Sequence, residues 1–457
     1  MAKTLWLASS LVSATLVGIW GCTTAPSLPL VGDSSLSFPK ESRISNLRQL
    51  TYGGTNAEAY WSFDGRWLSF QHSGDGDSCD QIYTIGLDGT KKQRISSGKG
   101  RTTCSYYSPN NKYVVYSSTH AASPSCPAEP DKSKGYLWPI YPSYQFYRAK
   151  TDGTEVTPME PGAPSAYNAE MTVCKDGSAI FTSDRNGDLD LYLGKIDSKG
   201  MLSDVKQITK TLGYDGGAFF SEDCSKIVWR ASRPKPGKEA QEYIDYLKQH
   251  LVKPTTLEIW TSDRDGGNAQ QVTNLGAAAF APYFTPDKSR ILFSSNLRKP
   301  GGRNFDIFMI KTNGTDLEQI THSNTFDSFP MFSPDGKYLA FSSNRNARKP
   351  RETNVFIADW NGYTNTPELT MDDPMAANRF YAMVRELTKP DMEGRGVTTA
   401  GIEKAEALVI DRFEHLGLKT TEQAIGRLSG VKDYEHAITI ITGVSADAKD
   451  NLLKADW

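Results

Sequence analysis

An excess of either charge is missing from this 457-residue chain: 51 lysines and arginines face 53 aspartates and glutamates, for a net charge of −2. No global field is therefore available to hold nucleic acid, and no nucleic-acid partner is expected. Past residue 22 no apolar run is long enough to span a bilayer. Cysteine is scarce, six in all, and shows neither Cys-x-x-Cys nor a Cys/His metal spacing. A Gly-x-Ser-x-Gly nucleophile elbow and a phosphate loop are also absent, so neither motif-bearing enzyme class is indicated. No cofactor, no metal site and no catalytic residue are expected.

What is present starts at the N-terminus. Lys3 opens a short positive region, Leu5 to Trp20 is apolar or small, and Ile19-Trp20-Gly21-Cys22 leads into a polar stretch from Thr23. The run is too short for a membrane anchor and reads as an export signal. Its end resembles the lipobox of bacterial lipoproteins, although Trp20 is bulkier than the usual small residue. The resemblance implies diacylation of Cys22 as a lipid anchor. Thr23 after the cysteine points to the periplasmic face of the outer membrane, with the inner membrane or cell surface as alternatives. The expected organisation is a signal peptide over 1–22, a linker over 23–44, a main domain over 45–370 and an α/β extension over 371–457.

The main domain is written six times. A turn recurs at Ser62-Phe63-Asp64-Gly65, Ser108-Pro109-Asn110-Asn111, Cys174-Lys175-Asp176-Gly177, Ser221-Glu222-Asp223-Cys224, Thr285-Pro286-Asp287-Lys288 and Ser333-Pro334-Asp335-Gly336. Pro sets φ at the first corner, and Asp or Gly tolerates the left-handed one. Each turn feeds an alternating strand such as Trp67-Leu68-Ser69-Phe70 or Leu339-Ala340-Phe341-Ser342. In phase with it come Gln81-Ile82-Tyr83, Gln145-Phe146-Tyr147, Asp190-Leu191-Tyr192, Glu258-Ile259-Trp260, Asp306-Ile307-Phe308 and Asn354-Val355-Phe356. Four short antiparallel strands per repeat predict an all-β fold, a six-bladed β-propeller with a small helical C-terminal extension. The turn and strand signatures resemble the TolB-type propeller repeat family over roughly residues 45–370. Ring closure is contested between Leu47-Arg48-Gln49-Leu50-Thr51 and Pro367-Glu368-Leu369-Thr370.

In such a blade, the loop after the second strand and the loop between blades leave from one face. The long insertions all fall after second strands, so one face is elaborated. It carries Tyr136, Trp138 and Tyr141 from the second blade, a helical stretch with Ile244, Leu247 and Leu251 from the fourth, and Arg298, Arg303, Arg345 and Arg348 from the last two. Aromatic anchors and a basic rim on rigid loops make these the candidate partner-binding residues. One repeat column should meet the channel mouth: Asn56, Thr102, Asn168, Asp215, Ala279 and Asp327, followed two residues later by Glu58, Cys104, Glu170 and Gly217. The polar members Asn56, Glu58, Asn168, Glu170, Asp215 and Asp327 are read as strand caps and water ligands rather than a metal site. Asp184, Asp188 and Asp190 have the wrong spacing for a calcium loop and predict a structured turn.

Face parity sorts the remaining cysteines. Cys79, Cys104 and Cys126 belong to the elaborated face, so one pair and one free thiol are expected there. Cys174 and Cys224 sit in first turns on the opposite face, and pairing across adjacent blades is not expected.

After Thr370 the character changes to amphipathic helices over 378–387 and 401–416. Glu393-Gly394-Arg395-Gly396 followed by a helix ending at Leu416-Gly417-Leu418 resembles the opening of M28-family zinc aminopeptidases over about residues 376–424. That family needs a His-x-Asp and further ligands for two zinc ions. Here His436 is followed by Ala437-Ile438 and no catalytic residue can be carried over. The expected function is a non-catalytic cell-envelope lipoprotein whose propeller binds a protein, peptide or other ligand. The alternative is the propeller and lead-in portion of a truncated or split M28-type enzyme.

Overall fold

The computed structural model describes residues 32–362 apart from 132 and 134. The Cys22 signal, residues 23–31, the Pro367–Thr370 strand and the 371–457 extension with its peptidase-like segment lie outside the described residues. Among the described residues no helix is long and apolar enough to cross a membrane.

Six four-stranded antiparallel sheets surround a central channel. Their inner strands are Thr55–Trp61, Thr102–Tyr107, Asn168–Val173, Asp215–Phe220, Ala279–Phe284 and Asp327–Phe332. Each inner strand packs on the next, and the sixth returns to the first. The fold is the expected six-bladed propeller.

The recurrent motifs have physical jobs. In five blades the first Ser or Thr of the turn donates to the side chain two residues on, as Ser62 to Asp64 at 2.6 Å, Ser221 to Asp223 at 2.7 Å and Ser333 to Asp335 at 2.6 Å. The same hydroxyl accepts from the backbone five residues on, for example from Tyr338 at 3.0 Å. The local bonding closes the turn without help from elsewhere. The aromatic of each second strand faces the aromatic of the third in direct register. These pairs are Phe70 with Tyr83, Tyr116 with Tyr147, Phe181 with Tyr192, Trp229 with Trp260, Phe293 with Phe308 and Phe341 with Phe356. Ring centroids lie 5.8–6.3 Å apart. Such cross-strand pairs add about 0.5–1.5 kcal/mol each beyond burial. One pair per blade is why the repeat keeps an aromatic at both places.

The N-terminal strand settles the contest over closure. Ile44–Gln49 pairs antiparallel with Asn354–Trp360 and supplies the outer strand of the last blade. Arg43, just ahead of that strand, ties the last blade to the fifth through Glu318 at 2.7 Å.

The cysteines answer the parity argument in two ways. Cys79 and Cys126 are bonded with Cα atoms 6.0 Å apart, tying the first- and second-blade insertions, and Cys104 is free. The expectation for Cys174 and Cys224 is corrected, because they too are bonded. Neighbouring first turns lie side by side, and their Cα atoms are 5.9 Å apart, well within disulfide reach. Cys174 takes the hydroxyl position of its turn. Cys224 takes the left-handed glycine position of the next, with φ +62°.

Candidate site: a blind well under the elaborated face

Four polar residues at or next to the heads of inner strands make local hydrogen bonds. Asn56, Asn168, Asp215 and Asp327 are completely buried. Asn56 donates to the Gly53 carbonyl at 2.8 Å and meets His72 Nδ1 at 2.8 Å. Asn168 accepts from Ser183 at 2.8 Å and Arg185 at 2.7 Å. Asp215 accepts from Trp229 Nε1 at 2.7 Å and Arg233 at 2.6 Å. Its second oxygen has no partner. Burial therefore dominates and raises its pKa to about 6, with Arg233 and Trp229 offsetting only part. A carboxyl whose pKa is raised on folding holds extra protons in the native state, so it erodes stability as pH climbs from about 4 to about 6. Replacing Asp215→Asn should flatten the fall in melting temperature across that window. An unchanged pH slope would contradict this assignment.

Two residues further on, every inner strand carries the same irregularity. Glu58, Cys104, Glu170, Gly217, Ala281 and Phe329 all have φ between +49° and +61°. The pairing register slips at each, as between Ala57 and Tyr60 or Gly216 and Phe219. These are β-bulges, and five of the six place a non-glycine residue in the left-handed region at a cost of roughly 1 kcal/mol each. A six-fold bulge re-aims one side chain per blade. Glu58 and Cys104 keep accessible surface although they lie deep among protein atoms. That surface belongs to the interior of the channel.

Two residues below the bulges the channel closes. The Tyr60 ring of the first blade meets Phe219 of the fourth, the opposite blade, at 5.6 Å. Tyr106 lies 5.8 Å from Tyr60, and Tyr283 lies 5.4 Å from Phe219. Aromatic rings meeting across the axis make a floor, so the channel is blind at this depth and its mouth lies on the elaborated face.

The wall of the well is uneven. On the third and fourth blades Glu170 accepts from Tyr214 Oη at 2.8 Å, Thr182 Oγ1 at 2.6 Å and the Gly217 backbone N–H at 2.9 Å, and it is paired with Arg230. Arg230 enters here because the fourth blade's bulge is glycine: a Cβ on Gly217 would stand 2.5 Å from its Nη1. A Cβ on Gly216 would collide with Tyr214 Oη and the Glu170 carboxylate. Gly216 and Gly217 are thus the space that lets the Glu170–Arg230–Tyr214 cluster form. On the fifth and sixth blades the wall is Ala281 and Phe329, with Phe280 packed against Phe305 and Phe329 at 4.6 and 5.8 Å.

The mouth is roofed by interlocked insertions. Trp138–Pro139 of the second blade pairs antiparallel with Leu251–Val252 of the fourth. The expected helix spans Lys238–Leu247, but Leu251 leaves it for this ribbon. Tyr243 anchors the helix by donating to Asp188 at 2.5 Å, and Asp184 accepts from the Tyr167 backbone at 2.7 Å, so the acidic loop is a structured turn. Trp138 does not fold back on its own blade. It lies 6.1 Å from Tyr214 and 6.4 Å from Phe280, and the Arg230 guanidinium sits 5.0 Å from its ring. Tyr136 accepts from Trp138 Nε1 at 3.0 Å and remains 63 % exposed, and Tyr141 donates to the Ala128 carbonyl at 2.7 Å.

The basic rim divides. Arg303 and Arg348 are exposed, the latter 4.9 Å from the Tyr52 ring. Arg298 is half-committed, 3.4 Å from Asp306. Arg345 is buried, and all its donors are used: Glu41 at 3.0 and 3.1 Å, Asp327 at 3.1 Å, the Leu36 carbonyl at 3.1 Å and Ser343 at 3.1 Å. It belongs to ring closure and offers a partner nothing. Reasoning from sequence missed Arg230 and Tyr214. The available signal was an arginine in a column otherwise filled by Gln71, Ser117, Thr182, Ser294 and Ser342, opposite a Gly-Gly pair.

Among the described residues, Cys174, Asp176 and Cys224 alone bring three metal-ligating atoms together, and two of those are the disulfide sulfurs. No protein-family model and no curated protein matches the sequence. Similar solved structures include TolB from Acinetobacter baumannii, at 16% identity and a TM-score of 0.40, covering 68% of this chain and 64% of that one. An oligogalacturonate lyase from Vibrio parahaemolyticus is 11% identical at a TM-score of 0.40, covering 68% of this chain and 93% of that one. A gluconolactonase from Xanthomonas campestris is 12% identical at a TM-score of 0.44, covering 70% and 91%. What the chain shares with these proteins is the propeller fold, which its own sheet order establishes.

Proposed function

We propose that this chain is a non-catalytic cell-envelope lipoprotein, anchored through Cys22, whose propeller binds a protein, peptide or other ligand on its elaborated face. The observation that carries the reading is the roof. Two insertions from blades two positions apart are paired over the mouth of a blind well, and an exposed tyrosine stands on top. Loops held this firmly lose little entropy on binding, and an exposed Tyr beside a Trp is the kind of anchor that dominates recognition energies. The rest of the surface supports the choice of face, since the opposite side ends in tight, self-bonded turns. The peptidase-fragment alternative concerns residues outside the described ones, and no feature of the propeller favours it.

The test is an affinity pull-down from envelope extracts with the mature chain, Tyr136→Ala, and the Tyr136→Ala/Trp138→Ala double variant. A partner retained by the parent and lost from both variants is the expected result. A partner that binds all three equally would move recognition off this face.

A further inference from the structure

We propose that the cationic loops of the fifth and sixth blades form a docking surface for an acidic peptide segment, with its carboxylates on Arg303, Arg348 and Arg351 and an apolar side chain against Phe326. The proposal rests on the reading of the elaborated face as the recognition surface and supplies the chemistry of the partner.

The loops repeat themselves. Arg298-Lys299-Pro300 and Arg348-Lys349-Pro350 write one tripeptide after the second strands of neighbouring blades, and Arg303 and Arg351 follow. A blade does not need this tripeptide, since the other four are built without it. Neither loop offers its cations an anion. Residues 296–304 contain no carboxylate, and in 344–353 the one carboxylate, Glu352, is buried. It accepts from the Arg348, Lys349 and Gly53 backbone N–H groups at 2.8, 3.2 and 2.9 Å and from the Asn354 amide at 2.9 Å. Arg298 turns to Asp306, and Arg345 is spent on closure. Lys299, Arg303, Arg348, Lys349 and Arg351 are left exposed, and among the described residues none of the five makes an ion pair. The plain face differs. There neighbouring first turns pair their charges, Lys175 with Glu222 and Lys288 with Asp223 at 2.6 Å.

A second observation is independent of charge: the two loops are held and joined. Asn296 accepts from the Ala278 backbone N–H and donates to the Gly302 carbonyl, both at 3.0 Å. Asn344 accepts from Thr353 Oγ1 at 2.7 Å, and its N–H donates to the Phe326 carbonyl at 2.9 Å. The Phe326 ring lies 6.0 Å from Phe305 at the end of the fifth-blade loop, so one aromatic bridges the pair. The Arg348 guanidinium sits 4.9 Å from the half-exposed Tyr52 ring. Guanidinium forks match carboxylates in a fixed geometry, and loops already held lose little entropy on binding. Phe326 is half-buried between them. It can receive an apolar side chain but cannot itself enter a bilayer, which favours a peptide over an anionic lipid surface.

Calorimetric titration of the full chain with a short synthetic peptide of glutamates flanking a phenylalanine tests this, beside its glutamine counterpart and phosphatidylglycerol vesicles. The acidic peptide should bind at least about tenfold more tightly than the glutamine peptide. Its affinity should fall by at least about tenfold between about 0.05 and about 0.5 M salt, because the cations are exposed. Arg303→Gln/Arg348→Gln/Arg351→Gln should lose about tenfold or more at an unchanged melting temperature. Lys112→Gln/Lys175→Gln on the opposite face should bind like the parent. Should the triple variant fail to fold, the glutamine peptide and the salt series on the parent chain decide. Equal binding of the glutamine peptide, no heat from the acidic peptide at millimolar concentration, a salt-independent affinity, or an undiminished triple variant would each overturn the proposal. So would vesicle binding that the triple variant loses, without binding of the peptide. Capture of an envelope partner that depends on Tyr136 and survives the triple variant removes this proposal and leaves the scaffold reading. Peptide binding by a chain that captures no partner through Tyr136 does the reverse for the roof.

Discussion

Arg345→Ala should destabilise the propeller by about 3–5 kcal/mol, the usual cost of removing one partner from a buried charge network. The guanidinium is the one cation between two buried carboxylates, Glu41 before the closing strand and Asp327 at the head of the last inner strand. Glu41 also accepts from the His322 and Phe38 backbones, and Asp327 from Ser323. Both carboxylates are therefore held in place and cannot follow the lost charge to water. The fault lies at the seam, so the N-terminal strand Ile44–Gln49 should lose hydrogen-exchange protection before the other blades do. Chemical denaturation reads the free energy, and a loss below about 1 kcal/mol would mean that the network is solvated. Partner capture by the folded fraction should be unaffected, since this arginine faces no solvent.

Arg230→Met should cost a comparable amount, about 3 kcal/mol or more, by leaving Glu170 buried without its cation. Methionine keeps much of the side-chain volume, so the loss reads the charge rather than a cavity. The double variant Arg230→Met/Glu170→Gln should recover most of it, because a neutral amide can still accept from Tyr214 and Gly217. If the double variant is as unstable as the single one, the cluster matters through packing. Arg230 also lies against Trp138, so its removal should loosen the roof and raise protease sensitivity around residues 136–139.

How much of this is legible in the sequence follows the range of each interaction. The turns and the aromatic pairs are local and repeat six times, so the propeller can be read from Ser333-Pro334-Asp335-Gly336 and its copies. Closure cannot, because Leu47–Thr51 and Pro367–Thr370 offer the same strand chemistry, and only the observed pairing of Ile44–Gln49 with Asn354–Trp360 decides for the first. The Cys174–Cys224 bond eludes face parity because its deciding quantity is the distance between neighbouring turns. The bulges are invisible for another reason. Glu58, Cys104, Ala281 and Phe329 share no chemistry, only a backbone conformation imposed by packing around the axis. The same holds for Arg345, whose loop position resembles that of Arg348 while one is buried and the other exposed.

The central claim is that recognition happens over the well and not on the plain face. It is tested most directly by photo-crosslinking in envelope extracts, with a benzophenone side chain at residue 136 on the roof or at residue 112 in a first turn of the opposite face. The account predicts a discrete crosslinked partner from residue 136 and none from residue 112. A partner captured from residue 112 alone would contradict it.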